Sequence, residues 1–233
     1  MAEVLEGLEG KRPVEAVTSN IPEANILKTS GGYGIDPHVW MDASLWATTI
    51  DVIKDELVQI KPDCKESIEA NALMYKPQVL ALHQWVKETL SSIPEQQRIL
   101  VTAHDAFNYY GQAYGIDVAG IQGISTEAEA AIADIRDTVD TIVERKVPAI
   151  FVESTINPRT IEAVKQAALN RGQELKIGGE LYSDAMGEVG TAGGTYIGMI
   201  YENTKTITEA LGGQLAPLPD DLSDWATTWK VGK

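Results

Sequence analysis

Between residues 98 and 211 the chain alternates short apolar runs with longer amphipathic ones. Residues 98–103 (RILVTA), 116–121 and 148–152 (PAIFV) read as buried strands, and 175–177 as a short fourth strand. Residues 104–114, 127–145, 158–170 and 195–211 carry apolar side chains at helical intervals. Ser125 and Thr126 are capping candidates for the second of these helices, and Gly115, Gly172 and Gly212-Gly213 punctuate the other three. A strand that follows a helix that follows a strand returns to the sheet in the same direction. The pattern therefore predicts an α/β fold: a parallel-sheet lobe with helices on both faces.

Upstream the pattern differs. Residues 2–10 look like the end of a helix, 13–19 (PVEAVTS) like a strand, and 20–34 are irregular, with Gly31-Gly32 near their end. Asp36 before Pro37 reads as a helix start, since Pro suits the first turn and Asp can cap free N–H groups. Residues 39–60 space Trp40, Leu45, Trp46, Ile50, Ile53 and Leu57 helically, and Lys61-Pro62 breaks the run. Residues 65–93 form a long helical stretch that Pro77 is expected to kink or divide. A helix of that length reads as a strut. Four regions follow: 1–62, a linking helix over 63–93, a C-terminal α/β lobe over 94–213, and an extended tail over 214–233 held by Trp225 and Trp229.

Composition narrows the chemistry. The 233 residues carry 34 Asp and Glu against 19 Lys and Arg, a net charge of −15. That excludes a phosphate-backbone binder and suits cation capture. Cys64 is the single cysteine, so neither an intrachain disulfide nor a Cys-rich zinc module can form. A transition-metal site must draw on carboxylates and on His38, His83 and His104. No apolar run is long enough for an integral membrane segment, and the start, MAEVLEGLEG, lacks a secretory signal. No Gly-rich phosphate loop is present.

Three segments end in unusual polar groups: Asp36-Pro37-His38, Thr102-Ala103-His104-Asp105 and Tyr182-Ser183-Asp184-Ala185. In an open parallel sheet, ligands gather beyond the carboxyl ends of the strands. His104 follows a strand directly, and imidazole with carboxylate suits zinc, iron or manganese. By spacing alone, with no H-x-x-x-H or H-x-D pair, capping and satisfied polar roles come ahead of metal ligation for these residues. Glu153 reads either as a carboxylate orienting an imidazole or as a cap or salt-bridge partner. His83 reads as a helix-surface residue, Glu127 and Glu129 as an acidic first helical turn, and Phe107, Tyr109 and Tyr110 as core.

The segments DPHVWMD (36–42), VTAHDAFNYYGQAYGI (101–116), IQGISTEAEA (121–130), PAIFVEST (148–155) and IGGELYSDAMG (177–187) closely resemble the zinc/manganese-type, TroA-like solute-binding proteins of ABC importers. The resemblance implies metal ligation by His38, His104 and Asp184. It implies an extracytoplasmic or periplasmic receptor, not an enzyme, that delivers a divalent transition metal to an ABC permease. Zinc is expected first, with manganese or iron as the other candidates. Family members begin with a signal peptide and a lobe that supplies a further histidine. On that comparison residues 1–62 are the remnant of an N-terminal lobe, the chain is truncated, and the surface so exposed invites self-association. The glycines around Asp184 (Gly178, Gly179, Gly187, Gly190) suggest that small shifts of its loop release the metal. The competing readings are a two-His-one-carboxylate enzyme and a fragment that binds no metal.

Overall fold

A computed structural model describes residues 7, 12–29, 34–124 and 131–232. Four strands, β1 (Ile99–His104), β2 (Asp117–Gln122), β3 (Ala149–Glu153) and β4 (Lys176–Leu181), form two parallel pairs, β1 with β2 and β3 with β4. Strands β1 and β3 lie side by side, and their carboxyl ends meet at His104 and Glu153. Among the described residues seven α-helices accompany them: α1 (Ala43–Ile60), α2 (Lys65–Ser91), α3 (Asn108–Tyr114), α4 (Ile132–Arg145), α5 (Arg159–Asn170), α6 (Tyr196–Ala210) and α7 (Ser223–Trp229).

Strand side chains alternate between two cores, as a period of two requires. Leu100, Ala149 and Phe151 face a core built with α2, α3 and α6. Ile99, Val101, Ala103 and Ile150 face a second core built with Val139 and Ile142 of α4 and Ile161, Val164 and Ala168 of α5. Both faces of the strands are thus covered by helices, the predicted α/β arrangement. The β3–β4 register slips between Ile150 and Phe151, where Gly178 is the extra residue on β4. A Cβ at Gly178 would sit 2.6 Å from Phe151 Cε1, so only glycine permits this close approach.

Several local expectations shift. Residues 13–19 form no strand, because they find no partner; the local pairing is a single bridge between Lys28 and Ile35. The helix expected over 39–60 is a 3-10 turn, Val39–Met41, followed by α1. Its cap is Asp42, whose carboxylate accepts from the N–H groups of Ser44 and Leu45 at 2.8 and 3.4 Å; Asp36 caps no helix. Helix α4 begins at Ile132, after an extended Ala131. Ser125, Thr126, Glu127, Glu129, Gly31-Gly32 and most of the expected helix over 2–10 lie outside the described residues.

Helix α2 runs through Pro77 without a break. An interior proline costs about 3 kcal/mol, chiefly by removing one N–H donor. The carbonyl left over belongs to Leu73, which is 79% exposed, so water can satisfy it. Beyond Pro77, Val79, Leu82, Trp85, Val86 and Leu90 are fully buried, and that packing outweighs the loss. On the α1–α2 side, Ile53, Leu57, Ile60, Leu73 and Met74 remain exposed. No described helix is long and apolar enough to cross a membrane.

The tail is not merely extended: it ends in α7. Ala216 accepts from the Trp85 indole at 2.9 Å and donates to Thr89 Oγ1 at 3.2 Å, both on α2. Trp225 packs on Tyr201 of α6, which stacks on Trp85 at 4.9 Å. The tail therefore straps α2 to α6.

Gly120 on β2 passes the point where the chain leaves β1. A Cβ there would strike the Asp105 carboxylate and lie 2.7–2.8 Å from the backbone at His104 and Asp105. Gly120→Ala is expected to cost about 1–3 kcal/mol through overpacking, read as a melting temperature several degrees lower. An unchanged melting temperature would show that this turn yields freely.

Candidate metal centre

The site is assembled where three strand-end or turn segments converge. His104 is the last residue of β1 and fully buried. Glu153, the last residue of β3, holds it twice: Oε1 accepts the His104 backbone N–H at 2.9 Å, and Oε2 lies 2.6 Å from Nδ1. Of the two readings of Glu153, the structure places it against the imidazole rather than at a helix cap. With Nδ1 turned to Glu153, the other ring nitrogen, Nε2, is left for a ligand and lies 3.5 Å from Asp184 Oδ1.

His38 is held by the same device in a different local structure. It precedes the 3-10 turn Val39–Met41 and is buried. Asp36 Oδ1 accepts the His38 backbone N–H at 2.9 Å and lies 2.8 Å from His38 Nδ1. The other carboxylate oxygen accepts from Asn108 Nδ2 at 3.1 Å. Asp36 itself is fixed by Tyr109, whose hydroxyl donates to the Asp36 carbonyl at 3.2 Å and accepts from the Leu27 N–H at 3.0 Å.

Asp184 lies in the bend that follows β4, with its side chain 34% exposed. Its Oδ1 stands 3.3 Å from His38 Nε2 and 3.5 Å from His104 Nε2. One potential ligand atom from each of His38, His104 and Asp184 lies within 4.8 Å of the others. A tetrahedral ion with bonds of about 2.0–2.1 Å separates its ligand atoms by about 3.3–3.4 Å. The two imidazole–carboxylate spacings match that edge.

The electrostatics point the same way. Burial opposes charge on His104, yet its bonds to Asp184 and Glu153 outweigh burial and raise its pKa to about 9. His38 is raised against burial by Asp184 and Asp36. Asp184 is held below the ordinary carboxylate range by hydrogen bonds to His104 and then His38. Asp36 is lowered despite burial by its bonds to His38 and Asn108. Without an ion, protons on the imidazoles offset part of the carboxylate charge.

His83 stands apart from this group and is less exposed than a helix-surface position suggests. Its Nδ1 lies 3.6 Å from Asp42 Oδ1, and its ring packs on Tyr114 at 5.2 Å. Burial lowers its pKa. Cys64 is exposed and remote. Phe107, Tyr109 and Tyr110 are core residues. Sequence reasoning missed Asp36 and Asn108 as parts of the site. The signal for Asp36 was present: a ligating imidazole needs an acceptor for its second nitrogen, and Asp36 stands two residues before His38.

A family model described as zinc-uptake complex component A, periplasmic, matches residues 1–210. The manganese-binding lipoprotein MntA of Bacillus subtilis is 40% identical over 211 residues, covering 91% of this chain and 69% of that protein. The zinc-binding protein TroA of Treponema pallidum is 41% identical, covering 91% and 68% respectively. The solved structure of that TroA superposes with a TM-score of 0.87 over 91% of this chain and 76% of its own. The metal ABC transporter substrate-binding lipoprotein SsaB of Streptococcus sanguinis is 30% identical, covering 76% of this chain and 55% of that protein. With the family model matched over nine-tenths of its residues, this chain belongs to the periplasmic zinc-uptake component A family of metal-binding, TroA-like proteins.

Proposed function

We propose that this chain captures a divalent transition metal ion outside the cytoplasm through His38, His104 and Asp184, and delivers it to an ABC permease. The observation that carries the reading is the convergence of those three ligand atoms, with a buried carboxylate behind each imidazole. The family description and the name of SsaB support the transport role and the extracytoplasmic setting. The protein is a binding protein of a transport family, not an enzyme.

Zinc is the proposed cargo. Two imidazoles and one carboxylate make a good tetrahedral set with one further ligand. Manganese and iron are the other candidates, and nitrogen ligands hold manganese less tightly. Similarity does not choose between them, since MntA and TroA, nearly equal in identity to this chain, are named for different metals. Glu153 and Asp36 fix the tautomer and aim of the two rings, so the site is preorganised.

Zinc at a hundred times its dissociation constant is expected to stabilise the protein by about 2.7 kcal/mol, seen as a higher melting temperature. His104→Ala and Asp184→Ala should each erase most of that shift. Retention of the full shift in both variants would refute the assignment.

The pH dependence follows from the raised imidazoles. The His104 pKa lies near 9 in the metal-free fold and about 6.5 in an unfolded chain. Its pairing stabilises the metal-free fold fully below pH 6.5 and progressively less as pH rises through 9. Zinc requires the neutral ring, so it competes with that proton. Zinc affinity should therefore rise about tenfold per pH unit, for each proton displaced, between pH 6.5 and 9, while the metal-free melting temperature falls. Calorimetry in buffers of differing ionisation enthalpy counts the released protons. A flat affinity across that window would exclude imidazole ligation.

A further inference from the structure

Besides the contact of His38 with Asp184 itself, among the described residues one side-chain hydrogen bond joins the segment bearing His38 to the loop bearing Asp184. Trp40, two residues beyond His38, donates its indole N–H to the Ser183 carbonyl at 3.1 Å. Trp40 is itself anchored, since its carbonyl accepts from the Tyr196 hydroxyl of α6 at 2.8 Å. Its ring also meets that of His38 edge-on at 5.3 Å. On the other side, the buried Ser183 hydroxyl lies 3.2 Å from that of Thr155, two residues after Glu153. Ser183 thus touches the His38 segment through Trp40 and the β3 end through Thr155.

The loop has few other restraints. Tyr182 is fixed by Asn203, which accepts its backbone N–H at 2.9 Å and donates to its carbonyl at 2.7 Å. Gly187 is fixed by its N–H to the Gly193 carbonyl at 2.9 Å. Between them, among the described residues, the hydrogen-bonding ties are those of Trp40 and Thr155 to Ser183, apart from Asp184 itself. Asp184 is also the one ligand candidate with substantial exposure; His38 and His104 are buried. An ion leaving the site must part from Asp184 on the open side.

We propose that Trp40 is a positioning residue that latches the Asp184 loop and sets the rate at which bound metal leaves. The proposal rests on the metal-binding reading above. Swinging Asp184 away from the imidazoles moves Ser183, so the indole bond must break on the way out. Its strength adds to the barrier for release. Entry crosses the same open state in reverse, and the bond is made in the metal-free fold as well, so its loss speeds entry and release together. A net contribution typical of one hydrogen bond corresponds to release about three- to tenfold faster once it is lost.

The test uses zinc-loaded protein mixed rapidly with excess chelator, and metal-free protein mixed with zinc. Trp40→Phe keeps the ring and deletes the donor. It should release zinc about three- to tenfold faster and associate faster by a similar factor, keep the affinity within about twofold of the wild type, and lower the metal-free melting temperature by no more than a few degrees. Thr155→Val, at an exposed position, should speed release by a smaller factor. Trp229→Phe, which removes an indole of α7 that makes no hydrogen bond to Ser183, should release at the wild-type rate. Wild-type release by Trp40→Phe, or weaker binding carried by slower association, overturns the latch. If Trp40→Phe does not fold, Thr155→Val decides, and wild-type release there overturns it. Failure of the wild type to load zinc at all refutes the metal-binding reading instead.

Discussion

Two imidazoles buried against two carboxylates are the constraint on which this molecule depends. Asp36 holds His38 and Glu153 holds His104, each through both a ring nitrogen and a backbone N–H. Removing such groups from water is costly unless each is paired. Asp184 then brings a third carboxylate to the two free imidazole nitrogens. Three carboxylates and two imidazoles carry more negative than positive charge however the rings titrate. In the metal-free protein, protons offset part of that excess, which is why His104 rises to about 9. A divalent cation on neutral rings supplies the same two positive charges at a single point. Exchange of protons for metal is therefore built into the pairing.

The fold exists to deliver these groups from distant parts of the chain. His104 and Glu153 come from the ends of β1 and β3, Asp184 from the bend after β4, and His38 from a turn outside the sheet. Helices on both faces fix the strands, and α2 with the tail fixes the surround: Trp85, Tyr201 and Trp225 pack in series across α2, α6 and α7. Against this rigid frame, the Asp184 loop is the lightly held part. Rigid imidazoles with one movable carboxylate suit a protein that must bind an ion firmly and then give it up.

Much of this was legible in the sequence. Alternation of apolar runs with amphipathic ones predicted parallel strands under two helical layers, because each covered strand must be apolar on both faces. The convergence of His38, His104 and Asp184 was implied by motif resemblance, not by spacing, since residues this far apart meet only through the tertiary fold. What escaped was decided by tertiary context. Residues 13–19 have strand composition but no neighbouring strand, and Pro77 should break a helix that core packing keeps whole. Asp36 looked like a cap because a carboxylate before Pro37 satisfies the local rule; its real partner is an imidazole two residues on. The role of Trp40 depends on Ser183, far along the chain, and no local pattern encodes it.

The most direct measurement of the central claim is anomalous scattering from crystals of zinc-loaded protein, collected on both sides of the zinc absorption edge. The account predicts one strong zinc peak bounded by His38 Nε2, His104 Nε2 and Asp184 Oδ1, with zinc–nitrogen distances of about 2.0–2.1 Å. No zinc peak at that position, or a peak ligated by other residues, would contradict it.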